Sequence, residues 1–179
     1  MTKIYLLCFM LLMDLPVWAD DLSFQPEFVH PRSDQQDIIA NTLGDDFLNA
    51  VGVFPAELLV SEVDLNRDRK MDLIAVQKAF CSNHACTFHF LMNKTSGYWI
   101  RLATIESWAI PFVVPNLEQD MPDIIRFDHL TDDCCSCSEP QPIRLIWQSA
   151  SGTESSGKYA ETGALSEEDM LVFKPDWQW

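Results

Sequence analysis

Val63-Asp64-Leu65-Asn66-Arg67-Asp68-Arg69-Lys70-Met71-Asp72-Leu73-Ile74-Ala75-Val76, residues 63–76, reads as a loop of spaced oxygen-bearing side chains running into a buried strand. Asp64, Asn66, Asp68 and Asp72 stand at positions 1, 3, 5 and 9 of a D-x-N-x-D-x-x-x-D loop. Alternate carboxylates and an amide wrapped about one point suit calcium, a hard cation that takes about six to eight oxygens. The expected ligands are those four side chains and the backbone carbonyl of Lys70 at position 7. Position 12 is Ala75, so the loop is not a complete EF-hand, and Arg69 occupies position 6, where such loops favour glycine. The competing reading is a solvated acidic turn that keeps its shape without an ion.

The pattern on either side is that of strands and turns. Glu57 to Val63 leads into the loop, and Asp72 to Val76 leads out of it. Cys86 to Met92 follows, then the polar turn Asn93-Lys94-Thr95-Ser96-Gly97. Tyr98 to Ile105 alternates apolar with polar residues, the period-two signature of a half-buried strand. Residues 111–147 repeat this order. Leu58 to Asp64 can be set beside Pro111 to Leu117, Met71 to Val76 beside Pro122 to Phe127, and Thr87 to Met92 beside Pro142 to Trp147. The period is about fifty residues, the length of a four-stranded propeller blade. The expected fold is therefore mainly β: two propeller-like antiparallel meander units, with no closed ring. In the second copy Glu118, Asp120 and Asp123 survive, but Asp120 and Asp123 lie one residue closer than Asp68 and Asp72, so that loop is read as metal-free.

Ahead of the repeat, residues 1–19 read as a signal peptide: Lys3, the apolar run Ile4 to Met13, and a small-x-small end at Val17-Trp18-Ala19. That run is too short to span a bilayer, and Cys8 has no lipobox after it, so no membrane anchor is expected. The remainder, 20–179, is expected to be one β-rich domain. It comprises a lead-in and helix (20–53), a first repeat with the loop (54–110) and a second repeat with a long Ser/Gly stretch (111–179). Ser33-Asp34-Gln35-Gln36-Asp37 offers an N-cap and acidic first turn for a short helix ending near Gly44; Phe47, Leu48 and Val51 extend its apolar face. Met170 to Phe173 reads as a last strand, with Trp177 and Trp179 packing on a sheet face.

The composition, 47% apolar and 22% charged, is globular. A net charge of -15 argues against nucleic acid and anionic membranes, and favours a basic protein partner or cations; simple solubility of an exported protein is the bland alternative. Cys81, Cys86, Cys134, Cys135 and Cys137 follow the signal segment and are disulfide candidates in an oxidising compartment; their odd number leaves one over. Cys81 and Cys86 form a tight C-x4-C turn. With His84 and His89 they also make a string zinc could use, a weaker reading than the disulfide. Asp132, Asp133 and Glu139 surround the later cysteines with negative charge, which disfavours redox catalysis. No G-x-S-x-G, H-E-x-x-H or cysteine-nucleophile pattern appears, so no enzymatic activity is expected.

Two resemblances sharpen these expectations. Asp64 to Ile74 resembles the D-x-N-x-D-G-x-x-D-L-[IV] core of FG-GAP/VCBS-type repeats and departs from it at Arg69. That resemblance implies a structural calcium stapling a hairpin within a blade. Thr153-Glu154-Ser155-Ser156-Gly157-Lys158-Tyr159 resembles the S-G-x-x-Y loop of periplasmic lysozyme inhibitors, which enters the enzyme cleft. Either Ser155 and Tyr159 keep the family spacing with Ser156 at the glycine position, or Ser156-Gly157 is the matching pair and the tyrosine comes one residue early. A DxNxD loop with a sheet fold is also similar to immunity proteins paired with secreted lysozyme-like effectors. The implied function is a periplasmic or secreted inhibitor of a cell-wall-degrading enzyme, a peptidoglycan hydrolase, with Ser155, Ser156, Gly157, Lys158 and Tyr159 at the contact. The alternative is a calcium-stapled exported binding module.

Overall fold

A computed structural model describes residues 23–44, 57–81, 85–94, 97–129, 139–149, 157–165 and 172–174. The signal segment, the later cysteines Cys134, Cys135 and Cys137, His84, Thr95, Ser155, Ser156, Trp177, Trp179 and the helix extension at Phe47, Leu48 and Val51 lie outside them.

The described chain is mainly β, with two four-stranded antiparallel meanders and one short helix, and neither sheet closes into a barrel. The first sheet runs β1 (Leu58–Val63), β2 (Asp72–Gln77), β3 (Cys86–Asn93), β4 (Trp99–Ser107). The second runs β5 (Phe112–Val114), β6 (Asp123–Asp128), β7 (Gln141–Ser149), β8 (Gly157–Ala164). Strand β2 is buried along its whole length, as its apolar run Leu73–Val76 requires of a strand covered on both faces.

The register bears out the match of Met71–Val76 with Pro122–Phe127 and corrects that of the first strands. Val63 pairs with Asp72 and Val114 with Asp123, so 64–71 and 115–122 are connections of equal length. Asp72 thus corresponds to Asp123, and Asp120 corresponds to Arg69 rather than to Asp68. The apolar likeness of Leu58–Val60 to Pro111–Val113 slips the first strand by two residues, which a period-two pattern tolerates.

The sheets stack through one core. Ile74, Val76, Phe88 and Phe90 of the first sheet meet Val113, Ile124, Leu145 and Trp147 of the second. Because alternate residues face opposite ways, Asp72 lies on the face turned toward the other sheet, while its counterpart Asp123 shares the outward face with Ile125 and Phe127. The two units therefore pack front to back, by non-equivalent faces. The outer face of the first sheet (Leu58, Val60, Leu73, Ala75, Leu91) is covered by Ile38, Ile39 and Leu43 of helix α1 (Ser33–Leu43). Gln35 rather than Ser33 caps that helix, its Oε1 accepting the Arg32 N–H at 2.8 Å, and the helix stops at Gly44, whose φ is 84°. The outer face of the second sheet is covered by Phe173, edge-on to Phe112 at 5.3 Å. The expected last strand at Met170–Phe173 is not formed at Val172–Phe173; Met170 and Leu171 lie outside the described residues.

The lead-in ahead of the helix is extended. It pairs with both inner edges, Phe24 with Val113 and Val29 with Val60. Two short bridges thus occupy sheet edges that would otherwise offer unpaired backbone to another chain.

The long Ser/Gly stretch of the second repeat is in part a strand, not a loop. Gly157–Ala164 is strand β8, paired with β7 from Trp147↔Tyr159 to Ser149↔Gly157.

Candidate functional site

Meander connections alternate between the two ends of a sheet. The β1–β2 connection (64–71), the β3–β4 connection (94–98) and the β5–β6 connection (115–122) therefore share one end with the close of β7 at Ser149 and the start of β8 at Gly157. Arg67 joins the two sheets there: its Nη2 donates to the Asn116 carbonyl at 2.8 Å and the Gln119 carbonyl at 2.7 Å. The β2–β3 connection, with the Cys81–Cys86 disulfide, lies at the opposite end. That bond removes both thiolates from the zinc string and fits an oxidising compartment.

The acidic loop closes on its own amides. Asp64 accepts the Asp68 N–H at 3.0 Å and the Arg69 N–H at 2.8 Å, and Asp68 accepts the Lys70 N–H at 2.9 Å. Arg67 and Arg69 take the left-handed conformation, φ 59° and 67°, so arginine adopts at position 6 the turn for which glycine is favoured. Asp72 is fully buried, and both its oxygens are committed, to the Leu65 N–H at 2.9 Å and the Asn93 N–H at 2.8 Å. Burial pushes its pKa up to about 6, with Asp68 and Asp64 adding to the rise, against the pull of the two amides.

The donor chemistry of this loop suits calcium, being all oxygen, but the placement does not. Among the described residues no three acidic, histidine or cysteine side chains converge as a metal group. With Asp72 turned to the backbone, the loop offers Asp64, Asn66, Asp68 and the Lys70 carbonyl, so water or bidentate carboxylates would have to complete the about six to eight oxygens calcium takes. The midpoint of thermal unfolding is accordingly expected to be the same in EDTA and in millimolar calcium. A calcium-dependent rise that Asp64→Ala abolishes would show instead that the loop takes the ion.

Its counterpart differs. Asp123 is buried and receives Arg144 Nε at 2.9 Å and Asn116 Nδ2 at 3.2 Å. The second loop thus keeps the buried carboxylate but pairs it with a protein cation.

Between the connections lies a cavity of about 530 Å3. Met92, Met121, Leu102 and Trp147 form its apolar lining, with Asn66, Arg67, Asp68, Lys94, Glu118, Asp120 and Ser149 around it. Leu102 also lines a second hollow of about 440 Å3 between β4 and β8, walled by Ile105, Glu106, Arg126, Leu145, Gly157, Lys158, Tyr159 and Glu161. The two sequence motifs, far apart in the chain, so come to line adjoining hollows. Their members are not equally available. Lys158 is exposed, but Gly157 lies under the Trp147 ring, and Tyr159 packs edge-on to Trp147 at 5.2 Å and donates its hydroxyl to the Pro122 carbonyl at 3.0 Å. Burial, then Asp123, drives the Tyr159 phenol far above its ordinary range.

Sequence reasoning missed the residues that shape this end. Met71, Tyr98 and Leu117 are large apolar side chains 57%, 67% and 64% exposed, one in each of the three connections at this end. Single exposed hydrophobics are ordinary, but three in connections at one end of the two sheets mark that end out. A hydrophobic residue inside an otherwise polar turn was the available signal.

At mid-sheet, His89 faces Thr104, Nδ1 to Oγ1 at 3.2 Å, and burial, then Arg101, lowers its pKa to about 4. A histidine whose folded pKa is depressed lends stability above its unfolded pKa and loses it as pH falls from about 6.5 toward 4. His89→Gln is expected to flatten that decline by about 1–2 kcal/mol, read from urea unfolding at pH 7 and pH 4.5.

Compared with protein-family models, with curated proteins and with solved structures, the chain matches none. Nothing in this small two-sheet fold or in those comparisons indicates a catalytic activity. Among the described residues no helix is long and apolar enough to cross a membrane.

Proposed function

We propose that the protein is an exported, periplasmic or secreted inhibitor or immunity protein that binds a basic, lysozyme-like peptidoglycan hydrolase with the hairpin end of its two sheets. The observation that carries this reading is that three exposed apolar side chains, Met71, Tyr98 and Leu117, sit one in each of the three connections at that end. The charge of -15 favours a basic partner and speeds encounter with it. Front-to-back packing of the two meanders supports a propeller-like pair. Lys158 adjoins this end, and Ser155 and Ser156 come just before β8 in the chain, outside the described residues. Calcium is left out of the contact, because Asp72 is spent on the backbone.

A second reading, an exported binding module without inhibitory action, is favoured by Tyr159. Its ring is packed on Trp147 and its hydroxyl is anchored on Pro122, so it does not project toward a cleft.

The test is inhibition of peptidoglycan hydrolysis by a panel of lysozymes and by any hydrolase encoded beside this chain. Dose-dependent inhibition, lost in Tyr98→Asp and Leu117→Asp, is the expected result. Binding without inhibition favours the module, and no binding to any hydrolase overturns the proposal.

A further inference from the structure

We infer that the cavity between the hairpin connections is a receptor for one arginine or lysine side chain of the partner. The inference rests on the partner-binding reading above and specifies the chemistry of its contact. The floor is apolar and preformed: Met92, Met121 and Trp147 belong to the buried core that joins the sheets. The rim is acidic: Glu118 and Asp120 are exposed, and neither takes part in an ion pair among the described residues. A long basic side chain has the matching form, an aliphatic stem that is content on apolar surface and a cationic head that stays at the polar edge.

The neighbouring charges sharpen the fit. Asp68 is taken by Lys70, Nζ to Oδ2 at 3.2 Å. Arg67 stands at the rim but gives its Nη2 to two backbone carbonyls, so it fixes the Asn116–Gln119 turn and leaves the Glu118 and Asp120 carboxylates to an incoming group. Lys94 lines the cavity as well and, like Arg67, opposes a cation, so an incoming head must be drawn to the Glu118 and Asp120 carboxylates.

The probe is a short blocked peptide, acetyl-Gly-Arg-Gly-amide, titrated into the isotope-labelled protein at low salt beside its citrulline counterpart, which keeps the shape and removes the charge. The expected result is a saturable shift of the Trp147 indole N–H with the arginine peptide and none with citrulline. Affinity should fall about fivefold or more in Glu118→Gln/Asp120→Asn and hold in the remote control Glu27→Gln/Asp37→Asn. An equal response to citrulline, or undiminished binding by the rim variant, overturns the inference. The larger reading fails separately. If a hydrolase binds and the rim variant binds it as tightly as the wild type, the receptor is wrong and the inhibitor reading stands. If no hydrolase binds but the peptide responses hold, the receptor stands and the inhibitor reading falls.

Discussion

Replacing Asp72 with alanine is expected to destabilise the fold by about 3 kcal/mol or more, read as a lowered urea midpoint at unchanged slope. The carboxylate is fully buried and accepts two amide donors, one in the acidic loop and one at the end of β3, so it ties three segments together. Removing it strands the Leu65 and Asn93 N–H groups, and each buried unsatisfied donor costs about 1–3 kcal/mol. Asp64→Ala removes as many bonds, to the Asp68 and Arg69 amides, but in an exposed loop where water replaces them, so its cost stays within about 1 kcal/mol. A calcium cage would make both losses depend on the ion; a buried clamp makes only the Asp72 loss large, with or without it. Equal effects at the two positions would rule out the clamp.

The same carboxylate sets the sign of a pH effect. Burial holds the Asp72 pKa near 6, above the 3.8 of an unperturbed aspartate. For an acid raised in this way the contribution to stability is present below about pH 4 and is lost as pH climbs through 6, an effect of at most about 3 kcal/mol. His89 works over the same window in the opposite direction. The two offset each other in the wild type, so Asp72→Asn steepens the acid loss of stability while His89→Gln reduces it.

The chain discloses its strands more readily than their facing. Alternation along 86–92 and 98–105, and the two-sided apolar run Leu73–Val76, mark β2, β3 and β4 because burial imposes those periods. The C-x4-C turn marks its own disulfide. Which carboxylate faces the core is different in kind. Asp72 has the spacing of a ligand and opens a strand that the apolar run marks, but only the stacking of the sheets shows that it faces the core. Strand β8 escaped notice because Gly157-Lys158-Tyr159-Ala160-Glu161-Thr162-Gly163-Ala164 is polar and glycine-rich, as suits an outer edge that should not invite pairing. Arg67 reads in the sequence only as a charge within the acidic loop. Its role as a latch depends on the second loop lying opposite, which no local pattern encodes.

Gly157→Val should lower stability by about 3 kcal/mol, through a clash that no small adjustment relieves. A Cβ at this position would sit 2.5 Å from Trp147 Cε2 and 2.7 Å from the Gln148 carbonyl oxygen. The backbone oxygen belongs to the paired strand and cannot retreat without opening the β7–β8 ladder. The indole cannot retreat either, being 6% exposed, packed edge-on to Tyr159 and part of the core between the sheets. Valine therefore forces a choice between peeling β8 from β7 and driving Trp147 from the floor of the cavity. Both outcomes also weaken binding of the arginine peptide. Lys158→Val is the control: it puts the same side chain one residue along, at an exposed position where substitutions stay within about 0.5 kcal/mol. Matching stabilities for the two variants would mean that Gly157 to Tyr159 do not rest on Trp147 in solution. Those residues would then belong to the Ser/Gly loop that the inhibitor resemblance describes, with Tyr159 free to enter a partner's cleft.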